Sequence, residues 1–319
     1  MPHTGGMMDE RMWRTPVTRR FRRWLSAAAV AFVGISAACT PAPQTTAPAA
    51  AALRVMTFNI RYGTAPDGDN AWPQRRELAL RVIGDFDPHV LGVQEALGSQ
   101  LDAVEQTFTQ YARVGVGRDD GRAAGEYSAI LYDRRRLAVL NQGTFWLSDT
   151  PEVPGSMSWG NRITRIATWA RFADRATGAS FYVFNSHWDH ESQPSRERSA
   201  LLLLERIAAR PPPNEPVVLT GDFNAGEDNP AFRTLLTIRN GGADGIRLAD
   251  TFRAVQPNAT QVGTYHAFRG DRAGARIDAI LASMHWQVVD AEIVHTNENG
   301  RYPSDHFPVT ATLLLRRRN

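Results

Sequence analysis

"PVVLTGDFN" (Pro216–Asn224) joins an apolar run to an acid and an amide, and its reading decides the fold. A run this apolar on both faces reads as a strand covered from both sides, which requires layers above and below it. Period-2 geometry then sets Asp222 and Asn224 on one side and turns Phe223 away, so an anionic acceptor and an amide donor face one point.

Other runs behave alike. Leu53–Ile60, His89–Glu95, Glu126–Asp133, Arg165–Phe172, Ser180–Trp188, Arg276–Ala282 and Phe307–Leu315 read as strands, while Gln74–Gly84, Gly98–Phe108, Pro194–Ala209 and Asn229–Thr237 read as helices. The order is not a strict strand–helix alternation, so a mixed α/β sandwich is expected. The connections Ser148–Asn161 and Ala254–Gly274 exceed ordinary loop length, and such loops often carry substrate contacts.

Several of these strands finish in a polar residue: Asn59 in "TFNI", Glu95 in "GVQE" and His187 in "FNSHWDH". Any one alone is simply where a chain meets water. Four such ends together, with Asp278 placed inside the apolar "RIDAIL", point to a site. A buried lone carboxylate is costly unless paired, and "SDHFP" offers His306 as its partner, with Asp305 pointing the other way. An Asp278–His306 dyad would fix the imidazole tautomer and raise its basicity. Glu95 and Asp305 suit a hard divalent ion such as magnesium, which takes one or two carboxylates, water and substrate phosphate. Together these are the parts for phosphoester hydrolysis.

The first fifty residues stand apart. "TRRFRRW" (18–24) is a positive segment, "LSAAAVAFVGISAA" (25–38) a short apolar one, and Cys39, the chain's single cysteine, follows at once. This pattern reads as an export signal over 1–38 ending in a lipobox-like "SAAC", with Ser36 where a larger aliphatic residue is usual. Cys39 would carry the lipid, giving an exported, membrane-anchored bacterial lipoprotein; ordinary cleaved secretion and a retained helix are the alternatives, and Arg19-Arg20 leaves a twin-arginine route open. Residues 39–52 form a Pro/Ala/Thr spacer, and the folded domain is expected over 53–319. One cysteine excludes an internal disulfide and a cysteine-built zinc site. The chain has no lysine, and its net charge is +3; residues 1–38 hold six arginines against Asp9 and Glu10, so the mature chain carries −1. The high isoelectric point therefore does not by itself argue for nucleic acid.

"TFNIR", "QE", "NSHWDH", "GDFN", "RIDAIL" and "SDHFPV", in this order, resemble the endonuclease/exonuclease/phosphatase superfamily with its DNase I-like fold, over Leu53–Leu315. The resemblance implies a four-layer α/β sandwich, two packed mixed β-sheets flanked by helices, with the site at one edge. It implies Mg2+, with Mn2+ an open alternative, and a phosphoester substrate. By the same resemblance Glu95 is the main metal ligand, Asn59 its neighbour and Asp305 a further metal-site carboxylate. Asp222 and Asn224 position the attacking water and hold phosphoryl oxygens; His187 binds phosphate or protonates the leaving group; Asp278 and His306 form the second acid–histidine pair. Arg165, His190, Arg196 and Trp159 face substrate in the bacterial subgroup that "GVGRDDG", "GEYSAILY" and "HWDH" resemble. Arg61 departs from the abasic-site nucleases, which carry an acid or amide there. The expectation is thus a monomeric, exported hydrolase of a small or amphiphilic phosphoester, with an extracellular nuclease and a binding protein on the same fold as alternatives.

Overall fold

The computed structural model describes residues 52–237 and 247–316, so the expected signal and all but the last residue of the spacer lie outside the described residues. Twelve strands run through them. They are β1 (Leu53–Asn59), β2 (Val90–Gln94), β3 (Tyr111–Val114), β4 (Ile130–Asp133), β5 (Leu137–Trp146) and β6 (Ile166–Asp174). The second half supplies β7 (Ser180–His187), β8 (Val217–Asp222), β9 (Leu248–Asp250), β10 (Asp278–Ser283), β11 (Trp286–Ile293) and β12 (Val309–Leu315). Helices α1 (Trp72–Phe86), α2 (Gly98–Thr107), α3 (Gln193–Ala208), α4 (Pro230–Leu236) and α5 (Thr251–Val255) connect them. Among the described residues no helix is long and apolar enough to cross a membrane.

The strands form two six-stranded sheets, ordered β11-β12-β1-β2-β4-β3 and β5-β6-β7-β8-β10-β9. Each sheet holds one parallel pair, β1–β2 or β7–β8, and is otherwise antiparallel. Because parallel neighbours need a crossover, α1 and α3 carry the chain between them. Both begin with a proline in the first turn, where its missing N–H costs nothing, which is why α1 starts at Trp72 ahead of the expected Gln74.

Three apolar layers hold the sandwich together. Leu53, Val55, Val90 and Ile130 of the first sheet meet Phe172, Val183, Val218 and Ile280 of the second between the sheets. Alternate residues on the same strands face outward: Met56, Phe58 and Leu91 pack against α1 and α2, while Tyr182, Leu219 and Ala279 pack against α3 and α4. The four-layer arrangement expected from the sequence is the one observed.

All eight interior strands were legible in the sequence; β3, β5, β9 and β11 were not, and they are the four sheet edges. The boundaries also shift. Asp278 opens β10 instead of lying inside a strand from Arg276, and residues 126–129 precede β4 as irregular chain.

Candidate active site

Between the sheets, each strand of the two parallel pairs drifts from apolar to polar along its inner face. The series run Val55, Thr57, Asn59; Val90, Gly92, Gln94; Val183, Asn185, His187; and Val218, Thr220, Asp222. The apolar ends make the core, and the middle residues form a dry polar layer. Gln94 Nε2 donates to Asn185 Oδ1 (2.6 Å) and Thr57 Oγ1 (3.0 Å), and Thr220 Oγ1 donates to the same Asn185 oxygen (3.0 Å). Asn185 Nδ2 reaches the carbonyls of Val93 (2.8 Å) and Ala129 (2.9 Å), tying the sheets together. Gly92 is required here, because a Cβ would lie 2.3 Å from Thr220 Oγ1. Buried amides with these bonds made resist rotation, so the strand ends beyond them are held in place.

The last residues of the series converge. Asn59 Nδ2 donates to Glu95 Oε1 (3.0 Å) and to Asp222 Oδ2 (2.9 Å), while Arg61 N donates to Asn59 Oδ1 (3.0 Å). Asn59, expected beside the metal ligand Glu95, is fully buried and braces two carboxylates. Asn224 lies beyond the strand with φ +45°, so the expected period-2 alignment with Asp222 does not hold. The turn does that work instead: Asn224 N donates to Asp222 Oδ1 (2.9 Å), and Asn224 Nδ2 reaches His187 Nε2 (3.0 Å) and the Trp188 carbonyl (3.0 Å). Glu95 likewise adopts φ +61°, just past β2. His306 Nδ1 meets Asp278 Oδ2 at 2.8 Å, and its Nε2 lies 3.8 Å from Asp222 Oδ2.

Burial and neighbouring charge divide these groups electrically. Burial, reinforced by Asp278, pushes the Asp222 carboxyl up to about 7, against the pull of His306 and the Asn59 hydrogen bond. Burial would lower His306, but Asp278, then Asp222, hold it well above the ordinary histidine range, so this imidazole is charged. His187 is the opposite case: burial, with Arg165 and Arg118 beside it, keeps it neutral. Asp305 is raised by burial and by Glu95.

A cavity of about 470 Å³ opens at this edge. Glu95, His187, Asp222, Asn224, Asp305 and His306 line it, with Asp278 buried behind His306. Single ligand atoms of Glu95, His187 and Asp222 lie within 4.8 Å of one another. The donor set fits a hard divalent cation: three carboxylates face one space, and two of them, Asp222 and Asp305, are raised by burial and by a neighbouring carboxylate. Asp222, Asp278 and His306 also cluster, but a protonated imidazole bonded to Asp278 has no lone pair for a metal. Arg61 brings a fixed charge to the same place, 3.9 Å from Glu95 and 3.8 Å from Asp305, and is itself paired with Asp67 at 3.0 Å.

Of the four residues expected at substrate, Arg165 and His190 line the cavity and are hydrogen-bonded to each other at 2.9 Å. Arg196 and Trp159 do not line it. Arg196 is held by Gln193 and the Asp189 carbonyl, and Trp159 donates to Asp149 while packing on the outer core, so both support the loops instead. Arg118, Glu126, Tyr62 and Tyr265 line the cavity without having been singled out. Arg118 lay on no expected strand, Glu126 stood at the start of one and not at its polar end, and Tyr265 lay in the long 254–274 connection.

The model for the endonuclease/exonuclease/phosphatase family matches residues 56–306, most of the chain. An endonuclease/exonuclease/phosphatase structure from Bacteroides vulgatus is 33% identical, with a TM-score of 0.74 covering 83% of this chain and 99% of that one. A mannosyl-6-phosphatase from Bacteroides thetaiotaomicron is 30% identical at a TM-score of 0.71, covering 82% of this chain and all of its own. An uncharacterized protein of Acanthamoeba polyphaga mimivirus is 31% identical over 229 residues, 66% of this chain and 80% of the relative. With the two-sheet architecture and the buried acid–histidine cluster at its edge, the match over these residues places the chain in the endonuclease/exonuclease/phosphatase family.

Proposed function

We propose that this protein is a divalent-metal-dependent phosphoesterase that hydrolyses a small organic phosphoester outside the cytoplasm. The observation that carries the reading is the meeting of a carboxyl near 7, Asp222, with a charged imidazole, His306, on one cavity beside the hard oxygens of Glu95 and Asp305. Groups whose environments push their protonation apart are how one site holds both a base and a cationic partner near neutral pH.

Glu95 and Asp305 would hold the cation, Mg2+ or Mn2+, with Asp222 in reach. Bound there, it would neutralise charge on the phosphoryl oxygens. Asp222 accepts the proton of the attacking water, its two oxygens aimed by Asn59 and by the Asn224 amide. His306 faces the phosphoryl group as a donor, kept charged and oriented by Asp278. The Asn224 amide, bonded to neutral His187 in the free protein, exchanges that bond for a phosphoryl oxygen, and His187 donates to another in the tautomer that carries its proton on Nε2. Arg165, balanced by Asp189 at 3.6 Å, closes the back of the cavity.

A small substrate is favoured over a nucleic-acid strand because the arginines on the cavity wall are matched by acids, and the mature chain is expected to carry −1. The likeness to a mannosyl-6-phosphatase supports a sugar phosphate among small esters. Export through residues 1–38, with Cys39 lipidated, belongs to the same reading. The purified chain, assayed with Mg2+ or Mn2+ on a phosphomonoester, a phosphodiester, phospholipid and DNA, should turn over small esters and stop with EDTA. Activity that survives chelation, or DNA cleavage far above all else, would overturn the proposal. Mass spectrometry of the mature N-terminus tests the anchor: an unmodified Cys39 contradicts it.

A further inference from the structure

One wall of the cavity has no task in the hydrolysis described above. It is carried by the connection between β3 and β4, whose two arms meet where Arg118 N donates to the Glu126 carbonyl (3.1 Å). Arg118 Nη1 and Nη2 pair with the two Glu126 oxygens at 2.6 and 2.9 Å, and both side chains line the cavity while staying mostly covered, 13% and 16% exposed. On the His306 side stands Tyr265, half exposed, its ring 5.1 Å from the imidazole.

We propose that Arg118 and Glu126, with Tyr265, recognise a neutral polyol, so that the substrate is the phosphomonoester of a sugar; this rests on the phosphoesterase reading. Charge balance is the first reason. Arg118 is matched by Glu126 and Arg165 by Asp189, so a second anionic group would meet Glu126 with no free cation to offset it. An apolar group would desolvate an ion pair and return nothing. A hydroxyl donates and accepts at once, and so satisfies both partners.

Bonding capacity is the second reason. A carboxylate has about four lone-pair sites and a guanidinium five N–H groups. The bidentate pair uses two of each, leaving roughly two acceptor sites on Glu126 and three N–H on Arg118. Arg118 Nε is buried without a hydrogen bond, 3.8 Å from Asp119, so the N–H groups left for a ligand are the second ones on Nη1 and Nη2. Neighbouring hydroxyls on a ring match such an alternating edge, and the Tyr265 ring offers an apolar face for the C–H side of the sugar.

The test compares kcat/KM for a hexose 6-phosphate and for methyl phosphate, in the wild type and in Glu126→Gln, with magnesium present. The wild type should prefer the hexose ester, and in Glu126→Gln the ratio should fall by about 10- to 100-fold, carried by KM rather than kcat. Should that variant not fold, Tyr265→Ala, at a half-exposed position, reads the same ratio and should lower it as well. An unchanged ratio in a folded variant overturns the inference alone, as does faster turnover of the hexose 1,6-bisphosphate than of the monophosphate. Absence of all phosphomonoester turnover in the wild type overturns both this inference and the reading beneath it.

Discussion

In the first sheet the parallel pair ends in Asn59 and Gln94, with Glu95 next along the chain; in the second it ends in His187 and Asp222. The surroundings are equivalent. β2 is followed across the sheet by β4 and β3, β8 by β10 and β9, and the outer flanks are β12–β11 and β6–β5. Gly92 faces Ile130 as Thr220 faces Ile280, but ahead of Ile130 the chain is irregular and meets the end of β2 only where Tyr127 faces Ala96, so a loop with Ser128 and Glu126 takes the place of Asp278 and Arg276. One backbone plan is thus loaded twice with different side chains. The first half presents oxygen ligands and a guanidinium, with His306 entering just ahead of β12; the second presents Asp222, Asp278 and His187, and burial sets the protonation of Asp222 and His187. Because the reaction proposed needs both, the cavity sits at the seam between the halves and in neither alone.

The comparison breaks most visibly in activity. His306→Ala should lower kcat by about 10²- to 10⁴-fold, whereas Ser128→Ala, in the loop ahead of β4, should stay within a few-fold; equal losses would mean that this loop shares the proton chemistry. Stability comes next. Arg276 is fully buried and bonded to Asp250 and to Glu227, the latter at 2.6 Å. Arg276→Met should cost about 3–5 kcal/mol in chemical denaturation, since it strands buried acid. Arg118→Met, at an arginine that is itself less buried, should cost less.

Glycines sharpen the picture further. Gly92→Ala should destabilise by about 1–3 kcal/mol, because the new methyl enters the polar layer between the sheets. Gly98→Ala, in open space at the start of α2, should stabilise by up to about 1 kcal/mol. The smallest effect is a pH slope. Burial pushes the Glu126 carboxyl up to about 7, against Arg118, from an ordinary 4.5. Between those values the unfolded chain releases a proton that the folded chain keeps, so stability should decline by roughly 1 kcal/mol per pH unit as pH rises through this window, then level. Glu227 moves the other way, down to about 2 through its hydrogen bond to Arg253, so its contribution is present above 4.5 and lost as pH falls toward 2. Glu126→Gln should lessen the first slope, to which Asp222 also contributes, and leave the acid limb.

The interior strands were readable because each has neighbours on both sides and layers on both faces, which demands a continuous apolar run. The four edge strands have one neighbour and a partly wet face; β5 reads "LAVLNQGTFW" and β11 "WQVVDAEI", each with a register shift mid-strand, so no run marks them. Similarly, polar residues closing apolar runs were visible, while Gln94 and Asn185 inside them passed unnoticed, since only the approach of the second sheet makes them a layer.

What the sequence by itself determined is the order of side chains along each strand, apolar then polar, and with it the two-sided burial and the kinds of groups at the edge. Which of those groups meet was decided by the tertiary structure. Sheet order brings Asp278 against Asp222, the packing of one sheet on the other brings His306 against Asp278, turns at φ +45° and +61° aim Asn224 and Glu95, and the loop before β4 adds Arg118 and Glu126. Protonation followed from the same step, because a carboxyl is raised or a histidine charged by what surrounds it in space, and a strand's neighbours are not its neighbours in sequence.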